Sequence, residues 1–113
     1  MNKGELNGVR ILSESSVELM SKNHLSDSVL SDGAAFGLDG IGFGLTMAVV
    51  KDAGRAGTYS TNGEFSWGGA ASTTFWVDPV NQLTAVMMTQ YMPSDKYPLR
   101  EDLKTLIYSG LSN

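Results

Sequence analysis

The stretch Gly63-Glu64-Phe65-Ser66-Trp67-Gly68-Gly69-Ala70-Ala71, continued after Ser72-Thr73 by Thr74-Phe75-Trp76-Val77-Asp78-Pro79, decides how this chain reads. Its second half is dense in β-branched and aromatic residues and predicts a strand over residues 70–77. Asp78-Pro79-Val80-Asn81 then reads as a turn with proline at the second position, where its fixed φ belongs. Residues 83–90 are nearly continuous in apolar side chains and predict a further strand, covered on both faces. A turn this short makes the two strands antiparallel neighbours. The adjacent glycines Gly68 and Gly69 mark a bulge or a place where a ligand nears the backbone. With Ala70 and Ala71 they form a bare ledge. Close packing against a helix would explain it as well as a ligand does, and the local sequence leaves both readings open.

Upstream, residues 42–50 alternate with a period of two, Phe43, Leu45, Met47 and Val49 opposing Gly44, Thr46, Ala48 and Val50, and predict one strand. Residues 51–57 read as a turn and residues 58–65 as a weaker strand. Nearer the start, Gly4 and Gly8 bracket a turn or short hairpin, and Ser13 is a good N-cap for a helix over residues 14–23. Leu12 and Val17 have the spacing of a hydrophobic staple across that cap. Residues 24–40, rich in Ser, Asp and Gly, read as a loop. Downstream, Met92-Pro93-Ser94-Asp95 breaks the pattern and Pro98 opens a last helix at its first position. Leu99, Leu103, Leu106, Ile107, Tyr108 and Leu111 give that helix an apolar stripe. The expected fold class is α+β, with an antiparallel meander of about three strands, a C-terminal helix packed on it and an N-terminal helix.

Composition narrows the function. The chain has 113 residues, 42% of them hydrophobic, enough for one domain over residues 1–113. Eight basic against 12 acidic residues, a net charge of −4 and no basic stripe argue against a nucleic-acid partner. Cysteine is absent, which removes thiol nucleophiles, disulfides and cysteine-based zinc sites. No apolar run has the length of a membrane span, and the first residues have no signal-peptide core. The compartment stays open.

The candidate chemistry is sparse. His24, the one histidine, could act as a base with Asp27 three residues on, but reads sooner as a solvated residue beside a helix C-terminus. Asp27, Asp32 and Asp39 lack calcium-loop spacing, and the chain is poor in nitrogen ligands, so no metal site and no cofactor are expected. Ser66 lacks the G-x-S-x-G spacing of a nucleophile elbow and is followed by a strand instead of a helix. Glu64 and Asp78 stand most of a strand apart, too far in sequence to be assigned as an acid–base pair.

Taken in order, the quoted stretch resembles the C-terminal part of serine hydrolases of the β-lactamase fold: class C β-lactamases, penicillin-binding proteins and family VIII carboxylesterases. The likeness extends outward. Gly4-Glu5-Leu6-Asn7-Gly8-Val9-Arg10-Ile11-Leu12-Ser13 with Val17-Glu18-Leu19-Met20 is similar to that family's approach to a helix. Gly42-Phe43-Gly44-Leu45 and the strand over residues 83–90 resemble the strands flanking the active-site strand. In the family, S-x-x-K, Y-x-N or Y-x-S, and K-T-G or a variant build the site. By position Trp67-Gly68-Gly69 matches the third, in the W-G-G form of esterase-like members. Trp67 and Gly68 replace the Lys and Thr, which removes a cationic anchor and favours ester or amide over β-lactam substrates. The resemblance implies that the Ala70 amide is one of two oxyanion donors, with substrate along Trp67, Gly68 and Gly69.

No serine here has a lysine three positions later, and no tyrosine has Asn or Ser two positions later. The resemblance therefore implies a C-terminal portion whose nucleophile and base precede Met1, with no complete catalytic set of its own. Its partners would be that missing N-terminal segment and, in the parent protein, a small-molecule ester, amide or β-lactam. The alternative is a non-catalytic binding or self-assembly module. For it, residues 82–90, from Gln82 to Gln90, matter: they contain no charge, proline or glycine, so as a sheet edge they would suit a homodimer.

Overall fold

The computed structural model describes residues 2–33 and 38–111. Among them the order is β1 (Glu5–Leu6), β2 (Val9–Arg10), α1 (Glu14–Ser21), α2 (Asp27–Gly33), β3 (Ile41–Phe43), β4 (Ala48–Val50), α3 (Ala53–Ala56), β5 (Phe65–Gly68), β6 (Thr74–Asp78), β7 (Leu83–Met87) and α4 (Leu99–Gly110). β1 and β2 close on Asn7-Gly8, both with positive φ, as a two-residue hairpin demands. The other strands form one antiparallel sheet in the order β3-β4-β5-β6-β7. The α+β class, the meander and both terminal helices match the sequence reading; the meander has five strands instead of about three.

The differences have local causes. The single strand expected over residues 42–50 is a hairpin, β3 and β4, because α1 reaches into it. Leu45 N–H donates to the Met20 carbonyl at 3.2 Å, and Gly44 N–H turns back to Met47 O at 2.8 Å. A Cβ at Gly44 would lie 2.1 Å from Met20 O, so only glycine fits beneath the end of α1. Ser13 caps that helix as expected, accepting from Ser16 N–H at 3.1 Å. It stops at Ser21, short of residue 23, because Asn23 turns its Oδ1 to the Phe43 and Leu25 amides instead. The loop expected over residues 24–40 contains α2, and residues 34–37 lie outside the described residues. The turn over residues 51–57 holds α3, capped by Asp52 Oδ1 on Arg55 N–H and ended by Gly57 in the left-handed region. The strand expected over residues 58–65 starts only at Phe65. Pro98 stands just outside α4, its carbonyl accepting from Asp102 N–H at 2.9 Å.

The strand expected over residues 70–77 begins at Thr74, because residues 69–73 turn the β5–β6 hairpin. Gly69 N–H donates to Thr73 O at 2.8 Å and Ser72 N–H to Gly69 O at 3.0 Å. Neither Ala70 nor Ala71 has positive φ, whereas Ser72 sits at +65°. That is a type I turn followed by a left-handed residue, a common three-residue hairpin loop. Ser72 has a compensation for its backbone: its hydroxyl donates to Tyr91 O at 2.7 Å, holding the chain after β7 against the turn.

Burial alternates along β6: Thr74, Trp76 and Asp78 face α4 and are buried, and Phe75 and Val77 face the other way. The interior beneath α4 is polar. Lys104 is buried, its ammonium bonded to the Glu64 carboxylate and to Tyr59 O (3.0 Å), 5.4 Å from the centre of the Trp76 ring. Tyr108 Oη stands between Asp78 Oδ2 at 2.6 Å and Glu64 Oε2 at 3.1 Å. Asp78 also accepts from Thr61 Oγ1, from the Val80 and Asn81 amides and from the Asn81 side chain. Burial alone would raise the Asp78 pKa, but these hydrogen bonds together outweigh it and hold the carboxyl below its ordinary value. Burial likewise lowers the Lys104 pKa, with Glu64 opposing. It raises that of Tyr108, with Asp78 adding to the effect.

The far face is thinner. Trp67 is 49% exposed, Val86 63% and Met88 80%. The strand expected over residues 83–90 as a doubly covered one is thus an edge strand ending at Met87, with one side chain row open to solvent.

Candidate active site

Trp67 and Gly68 end β5, and Gly69 and Ala70 enter the hairpin turn. Gly68 pairs with Thr74 and Trp67 with Phe75, which fixes the ledge to one end of the sheet's central strand. A Cβ at position 69 would lie 2.5 Å from Thr73 Oγ1, so the Thr73 hydroxyl fills the space beside this glycine and a larger residue fits only if that side chain turns away. Close packing thus accounts for Gly69 in part. Ala70 differs. It is exposed, and its amide has no hydrogen-bond acceptor among the described residues, so a main-chain donor at the ledge faces outward. Trp67 is held edge-on by Phe43, with ring centres 5.2 Å apart.

A cavity of about 340 Å³ opens beside the ledge, lined by Gly68, Gly69 and Ala70 on one side and Ser94, Tyr97 and Arg100 on the other. That second wall was not read from the sequence as part of the site. The signal was present in outline, because a broken segment running into a helix start brings polar side chains to one place, but its position against β5 depends on how α4 docks. Arg100 borders this cavity while its guanidinium is bonded to Ser66 Oγ.

The other candidates are dispersed. Ser66 is 2% exposed and its Oγ accepts from Arg100 Nη2 at 2.6 Å, beneath the sheet. His24 is engaged with the Leu19 carbonyl through Nε2 at 2.7 Å. The two are not brought together. Asp39 pairs with Arg55 at 2.8 Å, and Asp27 and Asp32 lie on α2. No group of three or more metal-binding side chains converges among the described residues. Glu64 and Asp78, distant in sequence, are joined through the Tyr108 hydroxyl, but within the interior under α4.

Residues 3–108 match the family model described as Beta-lactamase. This chain belongs to the beta-lactamase family. Among curated proteins, this family member is 35% identical over 99 residues to Protein Rv1367c of Mycobacterium tuberculosis (strain ATCC 25618 / H37Rv), covering 82% of the chain and 24% of that protein. Among solved structures, it superposes on EstCE1, a hydrolase with promiscuous acyltransferase activity, with TM-score 0.76 and 25% identity, covering 95% of the chain and 26% of EstCE1. Simvastatin synthase (LovD) from Aspergillus terreus shares the fold, with TM-score 0.68 and 19% identity over 88% of the chain and 30% of LovD. The beta-lactamase-family chain thus spans about a quarter of the length of the relatives it matches. Among its described residues no helix is long and apolar enough to cross a membrane.

Proposed function

We propose that this chain is the C-terminal portion of a serine hydrolase that cleaves small esters or amides through an acyl-enzyme. It contributes the substrate-binding strand Trp67-Gly68-Gly69 and the Ala70 amide as one oxyanion donor. The nucleophile, its base and the second donor belong to sequence preceding Met1. The observation that carries this reading is the outward, unpartnered Ala70 amide at the exposed end of β5, beside a cavity of substrate size. An oxyanion donor must be free in the resting protein and aimed where charge develops. The likeness to EstCE1, a hydrolase with promiscuous acyltransferase activity, supports chemistry that passes through an acyl-enzyme.

Without the nucleophile the isolated chain has at most the residual polarising effect of one amide. The purified protein is therefore expected to show no turnover of p-nitrophenyl butyrate or of a chromogenic cephalosporin. An S-x-x-K motif in the reading frame ahead of Met1 would support the assignment. Hydrolysis by the isolated chain that disappears in Ser66→Ala would overturn it.

A second reading, a self-associating module without chemistry, is favoured by one specific feature: β7 is the last strand of the sheet and carries exposed Val86. On that reading two copies pair their β7 strands antiparallel about a two-fold axis.

A further inference from the structure

The cavity beside the ledge is not the only one that meets Gly68. A second, of about 380 Å³, lies under the N-terminal half of α4, between it and β3, β4 and β5. Leu38, Ile41, Ala48, Val50 and Ala56 give it an apolar wall, and Ser66 and Arg100 stand at its polar end. It falls within the size range of small-molecule sites and has their usual build, mostly apolar with a few converging polar groups.

The charges at the polar end are unequal. Lys104 also borders the cavity, but its ammonium is already matched by Glu64. Arg100 has no carboxylate partner among the described residues, and its one side-chain hydrogen bond is to Ser66 Oγ. A guanidinium offers five donors in a planar fork suited to a carboxylate, so most of this one's capacity is unused. Glu101, exposed on the next position of α4, also borders the cavity. Its negative charge disfavours a dianion such as a phosphate ester and leaves a monoanion as the better match. The apolar wall calls for a hydrocarbon chain behind that charge.

We propose that this cavity is a binding site for a short-chain fatty acid or similar amphiphilic carboxylate, anchored by Arg100 with its chain along Ala48, Val50 and Ala56. It shares Arg100 and Gly68 with the cavity beside the ledge, and does not depend on the ester or amide chemistry proposed there. Because Ser66 immediately precedes Trp67, a ligand drawing Arg100 away from Ser66 acts on the strand that carries the ledge.

The test is an NMR titration of the full chain with sodium hexanoate, followed through backbone amide shifts. The proposal expects saturable shifts at Ala48, Ala56, Ser66 and Gly68. It expects binding at least tenfold weaker in Arg100→Gln and largely kept in Arg100→Lys. Hexan-1-ol is expected to bind both the native chain and Arg100→Gln to the same extent. Ala48→Leu, which fills the cavity and leaves Arg100 in place, is expected to abolish binding and guards against a folding defect in the arginine variants. Shifts that do not saturate, equal affinity in folded Arg100→Gln, undiminished binding by Ala48→Leu, or shifts confined to Val86 and Met88 would each overturn it.

Discussion

Lys104, Glu64 and Asp78 are charged residues, and sequence patterning assigns such residues to the surface. Here they fill the interior between α4 and the sheet. The stripe of leucines predicted for α4 was real as a pattern, yet Leu106 is 71% exposed while Lys104 is 2% exposed. The helix was legible; its inward face was not, because the partner of each buried charge lies about forty positions away in the chain. Removing one member of such a pair strands the other. Lys104→Met is expected to destabilise the fold by about 3–5 kcal/mol, and adding Glu64→Leu to recover most of that loss. Urea unfolding of the single and double variants measures both. Tyr108 adds a pH dependence whose sign follows from its raised pKa. The folded state holds the phenol proton where the unfolded chain releases it, so the contribution is full below the ordinary value of 10.0 and is lost as pH rises beyond it. The lowered pKa of Lys104 acts in the opposite sense, its burial cost fading as pH approaches 10.5. The expected outcome is a urea midpoint that falls more steeply between about pH 9.5 and 11 in the native chain than in Tyr108→Phe.

At the scale of elements, the sequence located most of them but misplaced several ends. Asp78-Pro79-Val80-Asn81 was readable because an aspartate, a proline and an asparagine at those positions each have a turn preference, and Asp78 does cap that turn through the Val80 and Asn81 amides. The β3–β4 hairpin was missed because its alternation is continuous through the turn; what breaks it is the carbonyl end of α1, a tertiary contact. The β5–β6 turn was missed for a similar reason, since Ser72 adopts the left-handed backbone that glycine usually marks. β7 carries the element-scale prediction. Among the described residues no further strand joins β7 in the sheet, and from Gln82 to Gln90 it has no charged residue to deter one. Light scattering across a dilution series is expected to show a dimer that Met87→Lys converts to monomer. A monomer at high micromolar concentration, unchanged by that substitution, would remove the self-assembly reading.

For the molecule as a whole, the W-G-G motif stands out in the sequence because it is local, whereas the wall that faces it, Ser94, Tyr97 and Arg100, required knowing where α4 docks. The catalytic reading carries its own prediction in a parent protein. Ala70 occupies the second position of a type I turn, where proline is tolerated, so Ala70→Pro deletes the amide hydrogen with little cost to the hairpin. Loss of one oxyanion donor is expected to lower kcat by about 10²–10³-fold, measured on an activated ester, with thermal stability largely unchanged. The order β3-β4-β5-β6-β7 also bears on how the chain reaches its structure. Every strand joins the one made just before it, so no pairing waits for a distant part of the chain and no crossover has to be threaded. A sheet paired only between consecutive strands closes shorter loops than one with crossovers, so less entropy is lost before each pairing is gained. The sheet is thus suited to grow from β3 to β7 in the order of synthesis, with α4 closing over it last.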